Sequence, residues 1–285
     1  MSFDYAFTPS RGPDRGTSAR HAREAVDITS EGSYVAPSGR RIDIRDAVRR
    51  AVEGAADHRE EDVIALPTPK PAVKTRTSVA NGTSLTSAQA FAKRGVVPMV
   101  LNFASAKNPG GGFLNGARAQ EESLARGSAL YATIERSPMY GFHREHGDPI
   151  YTSWMIHSPN VPVFRDDATG WLLEEPYECA FLTAAAPNAG VVLQRDYARR
   201  EEVERVMRAR VNRALAIMAH YGHRHLVLGA WGCGVFGNDP AIVADEFGRA
   251  LEGPFAGVFD EVVFAVLDWS AERRFVRPFA ERFAS

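Results

Sequence analysis

From Val262 to Leu267 the chain runs Val-Val-Phe-Ala-Val-Leu, with no polar residue between. A strand with one wet face alternates apolar and polar side chains, because successive Cβ atoms point to opposite faces. A run without that alternation suits a strand covered on both faces, as in a sheet with helices on either side. The rest of the sequence supplies such helices. From Thr75 onward, strand-like segments at 75–79, 96–104, 178–184, 225–229 and 261–267 alternate with helical ones. Val203, Val206, Met207, Val211, Ala214, Leu215, Met218 and Tyr221 form one stripe of a long amphipathic helix. A second helix, 242–251, is entered through Asp239-Pro240, a cap followed by a proline that suits the first turn. The expected fold class is α/β, a mixed sheet flanked by helices.

Before Thr75 the pattern is looser. Residues 34–44 read as a hairpin about Pro37-Ser38-Gly39. A helix follows through Ile44, Val48, Ala51, Val52 and Ala55, then a short strand at 62–66. Pro67, Pro69 and Pro71 mark an internal boundary, which divides the chain into an N-terminal extension, 1–74, packed on a core, 75–285. Arg11, Arg15, Arg20 and Arg23, set among glycines and prolines, read as a solvated terminus, either mobile or strapped over the surface. Thr86 is expected to cap a helix with Gln89 as its reciprocal partner. One helix is expected over 120–134, and 138–176 reads as loop-rich with short strands.

The composition narrows the function. With 285 residues and 45% hydrophobic content, the chain can bury one substantial core. A formal net charge of −1 argues against a broad basic surface, so no direct nucleic-acid partner is expected. Cys179 and Cys233 are far apart and match no metal spacing. Two such cysteines do not make a disulfide framework, which fits a reducing compartment. The opening Met1-Ser2-Phe3-Asp4-Tyr5 lacks the layout of a secretory signal, and no stretch is apolar enough to span a bilayer. A cytoplasmic protein without a membrane partner is the expectation. His143 and His146 are spaced i, i+3 without a convincing third ligand; His220, His223 and His225 cluster around a helix end. No metal is expected.

Two glycine loops stand out, each between a strand and a helix. The first reads Asn108-Pro109-Gly110-Gly111-Gly112-Phe113. Consecutive glycines lose much chain entropy on folding, yet they let backbone N–H groups approach an oxygen-rich ligand. A flexible loop is the plainer alternative. The second reads Gly229-Ala230-Trp231-Gly232-Cys233-Gly234-Val235-Phe236-Gly237-Asn238. It lacks the spacing of a Walker loop or a Rossmann fingerprint, but a nest of its N–H groups suits a diphosphate. Loops at the carboxyl ends of strands lie where open α/β sheets bind ligands.

Seven residues after Gly112 comes Gln120-Glu121-Glu122, at the expected start of a helix. Acidic residues there complement the helix dipole, which is explanation enough in many chains. Here the preceding loop can fold back and set a ligand beside both carboxylates. Glycoside hydrolysis needs an acid for the departing oxygen and a base for the incoming water. Neighbouring helical residues point about 100° apart, so the two glutamates cannot do identical work.

Gly110-Gly111-Gly112, the seven-residue spacer and Gln120-Glu121-Glu122 together resemble the signature of poly(ADP-ribose) glycohydrolases. Phe113 and residues 124–131 look like the bacterial-type members, Gly232-Cys233-Gly234-Val235-Phe236-Gly237-Asn238 is similar to the family's diphosphate-binding loop, and 177–188 is similar to its intervening strand and turn. The likeness runs from about Tyr34 to the C-terminus. It implies a macrodomain-like fold with an added N-terminal segment, and a hydrolase that cleaves the ribose–ribose bonds of poly(ADP-ribose) on modified proteins and releases ADP-ribose. By the same resemblance Glu122 is the acid/base, Glu121 holds the reacting ribose and Gln120 orients them. Asn108 and Gly110 to Gly112 would meet the distal ribose and phosphate. Gly232, Cys233, Gly234, Val235, Phe236 and Asn238 would line the diphosphate site. No cofactor or metal is implied. A clasp over adenine, present in larger relatives, has no identifiable counterpart here.

Two other readings stay open. A macrodomain that binds ADP-ribose without cleaving it would use the same loops, though it has no need of an acidic pair. A hydrolase of mono-ADP-ribosyl or acetyl esters is compatible with the carboxylate pair. Within the second loop, a branched side chain at Gly234 is expected to block backbone approach and to be barred by the loop's dihedrals. Cys233 is expected to be a small loop residue and not a nucleophile.

Overall fold

The structure, a computed structural model, describes residues 12–283. It opens with helix α1 (Arg15–Glu31), where a solvated terminus was expected. Asp14 caps it by accepting from the Gly16 and Thr17 N–H groups at 2.8 and 3.1 Å. Ala22, Ala25 and Ile28 are buried on one face, a short apolar stripe that the intervening arginines obscure. Arg11 lies outside the described residues. The helix stops at Gly32, whose φ of 70° suits glycine alone among common residues.

Strands β1 (Ser33–Val35) and β2 (Arg41–Asp43) form the expected hairpin, followed by α2 (Arg45–Glu53). Strand β3 (Ala56–His58) then pairs in the main sheet. The strand expected at 62–66 is not formed: those residues pair with no strand and Val63 is 95% exposed. Apolar content alone does not make a strand without a ladder to join.

Next come β4 (Arg76–Ala80), α3 (Ser84–Ala92) and β5 (Met99–Phe103). The cap of α3 is Thr83, whose hydroxyl accepts from the Thr86 N–H at 3.1 Å; Thr86 sits inside the first turn and is not the cap. The single helix expected over 120–134 is two, α4 (Gln120–Gly127) and α5 (Leu130–Ile134). Gly127 packs so tightly that a methyl group there would lie 2.5 Å from Leu85 Cδ1, and extended Ser128 leaves the helix to bridge Val163.

The segment expected to be loop-rich is ordered: α6 (Pro138–His146), then the long hairpin of β6 (Met155–Arg165) and β7 (Leu172–Ala184). Strand β6 contains Pro159 and Pro162. A register shift between Ser158 and Val161, with Asn160 at φ 45°, absorbs the irregularity. The chain finishes with α7 (Ala189–Arg195), α8 (Arg200–His220), β8 (His225–Leu228), α9 (Pro240–Glu252), β9 (Glu261–Ala265) and α10 (Val276–Phe283). Asp239 caps α9 ahead of Pro240, as expected.

The main sheet has seven strands in the order β3-β6-β7-β5-β8-β9-β4. From β7 to β4 all pairings are parallel, while β3 and β6 pair antiparallel. Strand neighbours enter different cores. Met99, Leu101, Leu226, Leu228 and Phe264 pack with α8, α9 and α10, whereas Val100, Val227 and Ala265 pack with α1, α3 and α5. That two-sided burial is what the unalternating run demanded. It also sets the ends of β5, β7 and β8 side by side at one edge of the sheet, where both glycine loops begin.

Candidate active site

Gln120, Glu121 and Glu122 begin α4 directly beside the end of β5. The Gln120 amide donates to the Leu101 carbonyl at 2.8 Å and to Ser84 Oγ at 3.1 Å, and its oxygen accepts from the Phe103 N–H at 2.9 Å. It thus pins the helix start to the strand. Glu121 accepts from the Ser105 N–H at 2.7 Å, and Glu122 from the Gly112 N–H at 2.9 Å. The helical rotation between neighbours gives the three side chains three different partners.

Both carboxylates converge on Gly111. A Cβ there would fall 2.4 Å from Glu122 Oε1 and 3.0 Å from Glu121 Oε2, and its φ is 61°. Gly110, at φ 68°, lies under the ring of Phe113, which packs on Tyr131 with centroids 4.9 Å apart. Asn108 closes the turn, its carbonyl accepting from the Gly111 N–H at 3.0 Å, and its side chain is exposed.

Burial separates the two acids. Glu121 is 3% exposed and its Oε1 has no hydrogen-bond partner. Burial pushes its carboxyl well above the usual carboxylate range; the Ser105 N–H opposes that, and the charge of Glu122 adds to it. Glu122 is 9% exposed, at the lip of the loop.

The second loop is tied to the same edge. Trp231 is fully buried and donates to the Ala184 carbonyl at 3.0 Å, the oxygen that also accepts from the Ala104 N–H at 3.1 Å. The ends of β5, β7 and β8 are thereby joined. Asn238 donates to the Pro187 and Gly232 carbonyls at 2.8 and 3.0 Å, so its amide shapes the loop from within. Gly232 has φ 73°, and a Cβ there would lie 2.5 Å from Ala186 Cβ and 2.6 Å from Asn238 Nδ2. Cys233 is buried, and burial pushes its thiol well above the ordinary range, which keeps it protonated. Val235 is exposed, and the ring of Phe236 stands 6.0 Å from that of Tyr151.

Gly234 departs from expectation. Its φ lies outside the positive range and a Cβ there would meet nothing within 4 Å. The loop's own dihedrals therefore do not demand glycine at this position; they do at Gly232. What remains at Gly234 is open space above the backbone.

This arrangement has known counterparts. The microbial-type PARG catalytic domain matches residues 22–166. The crystal structure of poly(ADP-ribose) glycohydrolase (PARG) from Thermomonospora curvata is 48% identical, with a TM-score of 0.90 over 94% of this chain and 100% of that one. The chain belongs to the microbial-type PARG family. The same T. curvata enzyme bound to the inhibitor ADP-HPD aligns at 49% identity and a TM-score of 0.86, over 94% of this chain and all of that one. PARG from Deinococcus radiodurans in complex with ADP-ribose aligns at 40% identity and a TM-score of 0.78, over 85% of this chain and 98% of that one. No curated protein matches. The fold is accordingly the macrodomain-like one of PARG.

Several residues around this PARG-type site escaped sequence reading. Asn102, fully buried at the end of β5, donates to Thr183 Oγ1 at 3.1 Å and leaves its own oxygen unpartnered. A lone amide inside an apolar strand was the available signal. Tyr140, from α6, buries an unpartnered hydroxyl, raised well above the usual phenol range by burial and then by the charge of Glu121. Arg126, four residues after Glu122, is buried and donates to the Ala117 carbonyl and, at 3.1 Å, to Ser123 Oγ. Among the described residues no group of three or more His, Cys, Asp or Glu is placed to hold a metal ion, and no helix is long and apolar enough to cross a membrane.

Proposed function

We propose that this chain is a poly(ADP-ribose) glycohydrolase, a glycosidase that hydrolyses ribose–ribose O-glycosidic bonds of poly(ADP-ribose) and releases ADP-ribose. The observation that carries the reading is the convergence of Glu121 and Glu122 on Gly111 inside the first loop. The PARG structures with ADP-ribose or ADP-HPD bound support the substrate class. Its partners are the polymer and the proteins that carry it, in the cytoplasm.

The chemistry divides between the loops. Protonated Glu122 donates to the departing ribose 2′-oxygen as oxocarbenium character grows at the anomeric carbon. Ionised Glu122 then takes a proton from the attacking water, which returns the acid to its starting state. Glu121, its carboxyl pushed up by burial, holds a hydroxyl of the reacting ribose. N–H groups among Gly232, Gly234, Val235 and Phe236 hold the diphosphate, that of Cys233 being taken by the Ala230 carbonyl at 3.1 Å, and the diphosphate's negative charge stabilises the cationic centre. On this reading the described part of the extension, 12–74, braces the core that begins at 75: Ala22 of α1 packs on Phe113 and Ala125 under the first loop.

Glu122→Gln keeps the size and most of the hydrogen bonding but cannot cycle a proton. Single-turnover polymer cleavage is expected to fall about 10²- to 10⁴-fold. ADP-ribose affinity of the same folded variant, by calorimetry, is expected to hold. Near-native cleavage would remove the assignment and favour a non-catalytic reader or another acid. Cleavage of mono-ADP-ribosyl esters but not polymer by the wild type would favour the ester hydrolase.

A further inference from the structure

Tyr151 adopts a left-handed backbone, φ 59°, which a tyrosine occupies only under constraint. The constraint is Arg210. This guanidinium, from α8, is 1% exposed and donates to the Ile150 and Tyr151 carbonyls at 2.7 Å each and to the Ala185 carbonyl at 3.1 Å. Among the described residues it forms no ion pair. Burying a cation against neutral carbonyls is costly, and burial lowers its pKa to about 10. On the other side the Tyr151 N–H donates to the Asp148 carbonyl at 3.1 Å, and the next residue's N–H donates to His143 Nε2 at 3.1 Å. A strained residue gripped from both sides, one grip being a buried charge, is over-determined in a way that packing alone does not require.

The ring held by these contacts is half-buried and stands between the two loops. Its centroid is 6.0 Å from Phe236 on the second loop and 5.7 Å from His143, which lies against the main chain of Ala106 at the base of the first. Phe236 is itself anchored, its carbonyl accepting from the Gly190 N–H at 2.8 Å.

We infer that Tyr151 is a further substrate-binding residue, its ring and Phe236 forming an aromatic wall between the glycine loops on which a ribose of an ADP-ribosyl unit packs, and that Arg210 is the positioning residue that holds it. A ribose presents C–H groups that an aromatic surface accepts, while its phosphate stays on the N–H groups of the second loop. The inference rests on the reading of the site as one for ADP-ribosyl units.

The test compares Tyr151→Gly, Tyr151→Leu, Tyr151→Phe and Arg210→Lys with the wild type, by thermal melting, ADP-ribose calorimetry and steady-state polymer cleavage. Glycine adopts the positive φ freely, so Tyr151→Gly is expected to melt near the wild-type temperature. Its ADP-ribose affinity is expected to fall about tenfold, with the loss in KM and not in kcat. Tyr151→Leu, the back-up if the glycine variant does not fold, is expected to lose affinity in the same sense. Tyr151→Phe keeps the ring and stays within about threefold. Lysine cannot fork across three carbonyls, so Arg210→Lys is expected to weaken affinity through Tyr151. Folded Tyr151→Gly or Tyr151→Leu that binds within about twofold of the wild type would overturn the proposal. Arg210→Lys that lowers the melting temperature while leaving affinity intact would overturn the role of Arg210. A wild type that fails to bind ADP-ribose would instead overturn the reading of the site.

Discussion

A methyl group at Gly111 would fall 2.4 Å from Glu122 Oε1, whereas one at Gly234 would meet nothing within 4 Å. Both glycines lie in loops that leave parallel strands at the same edge of the sheet, yet they answer to different neighbours. In the first loop Gly111 makes room for the protein's own carboxylates, so the loop and the acids are one unit. In the second, Gly229 lies against the Ala265 carbonyl, Gly232 makes room for Ala186 and the Asn238 amide, and Gly234 faces open space. One loop is shaped around two carboxylates, the proposed catalytic pair. The other is an internally braced rim whose outer backbone is free to meet a ligand. A run of glycines in a sequence does not distinguish these cases; the distance from each missing Cβ to its nearest neighbour does.

The sharpest way to break that comparison is Gly111→Ala. The added carbon must displace Glu122, and alanine also resists φ 61°. Cleavage is expected to fall by about 10² or more, as for a misplaced general acid. ADP-ribose affinity should change far less, because the second loop is untouched. Single-turnover cleavage and calorimetry on one preparation check both halves; equal losses in the two would mean that the first loop is mainly a binding element. Gly232→Ala probes the brace. With φ 73° and contacts at 2.5 and 2.6 Å, it is expected to lose about 1–3 kcal/mol of stability, and with it ADP-ribose affinity. Thermal melting should fall by several degrees; an unchanged melt would show that the Asn238 amide is not fixed as described.

The smaller effects depend on what the sequence could and could not reveal. The strands 225–229 and 261–267 were legible because a doubly covered strand writes its burial directly into consecutive apolar residues. Both loops were legible for the same local reason, glycine between strand and helix. The hairpin of β6 and β7 was not, because Pro159 and Pro162 are punctuation in sequence, and only pairing with β7 explains how a bulge accommodates them. Helix α1 hid because Arg15, Arg20 and Arg23 outweigh Ala22, Ala25 and Ile28 by composition, though not by position. At the site, the triplet Gln120-Glu121-Glu122 was readable from spacing. Tyr140, Tyr151 and the Arg210 that holds Tyr151 were not, since each comes from a segment distant in sequence and carries no motif. Gly234 shows the converse error: glycine read as obligatory where the dihedral does not require it.

Gly234→Val therefore sharpens the comparison rather than breaking it. Its stability is expected to stay within about 0.5 kcal/mol of the wild type, as for an open surface site. ADP-ribose affinity is expected to fall about tenfold, because the branched side chain occupies the space a diphosphate would need to reach the N–H groups. Unchanged affinity by calorimetry would move the diphosphate away from this part of the loop.

The smallest effect is expected one residue earlier. Cys233 sits between Gly232 and Gly234, in the position where a loop nucleophile would be sought, but its side chain turns inward. It is 5% exposed, its sulfur lies 3.7 Å from the Trp231 carbonyl, and burial holds the thiol protonated well above neutral pH. A buried neutral thiol is a small apolar filler, and the thiolate needed for attack is not populated. Cys233→Ala removes one sulfur from a packed site. That is expected to lower stability by about 1 kcal/mol and to leave kcat and KM within about twofold. Alkylation of the native protein with iodoacetamide, followed by mass spectrometry, should leave Cys233 unmodified until the protein is denatured. Rapid modification under native conditions, or abolished cleavage in a folded Cys233→Ala that still binds ADP-ribose, would mean that the second loop carries chemistry as well as binding, and the division of labour between the two loops would fail at that residue.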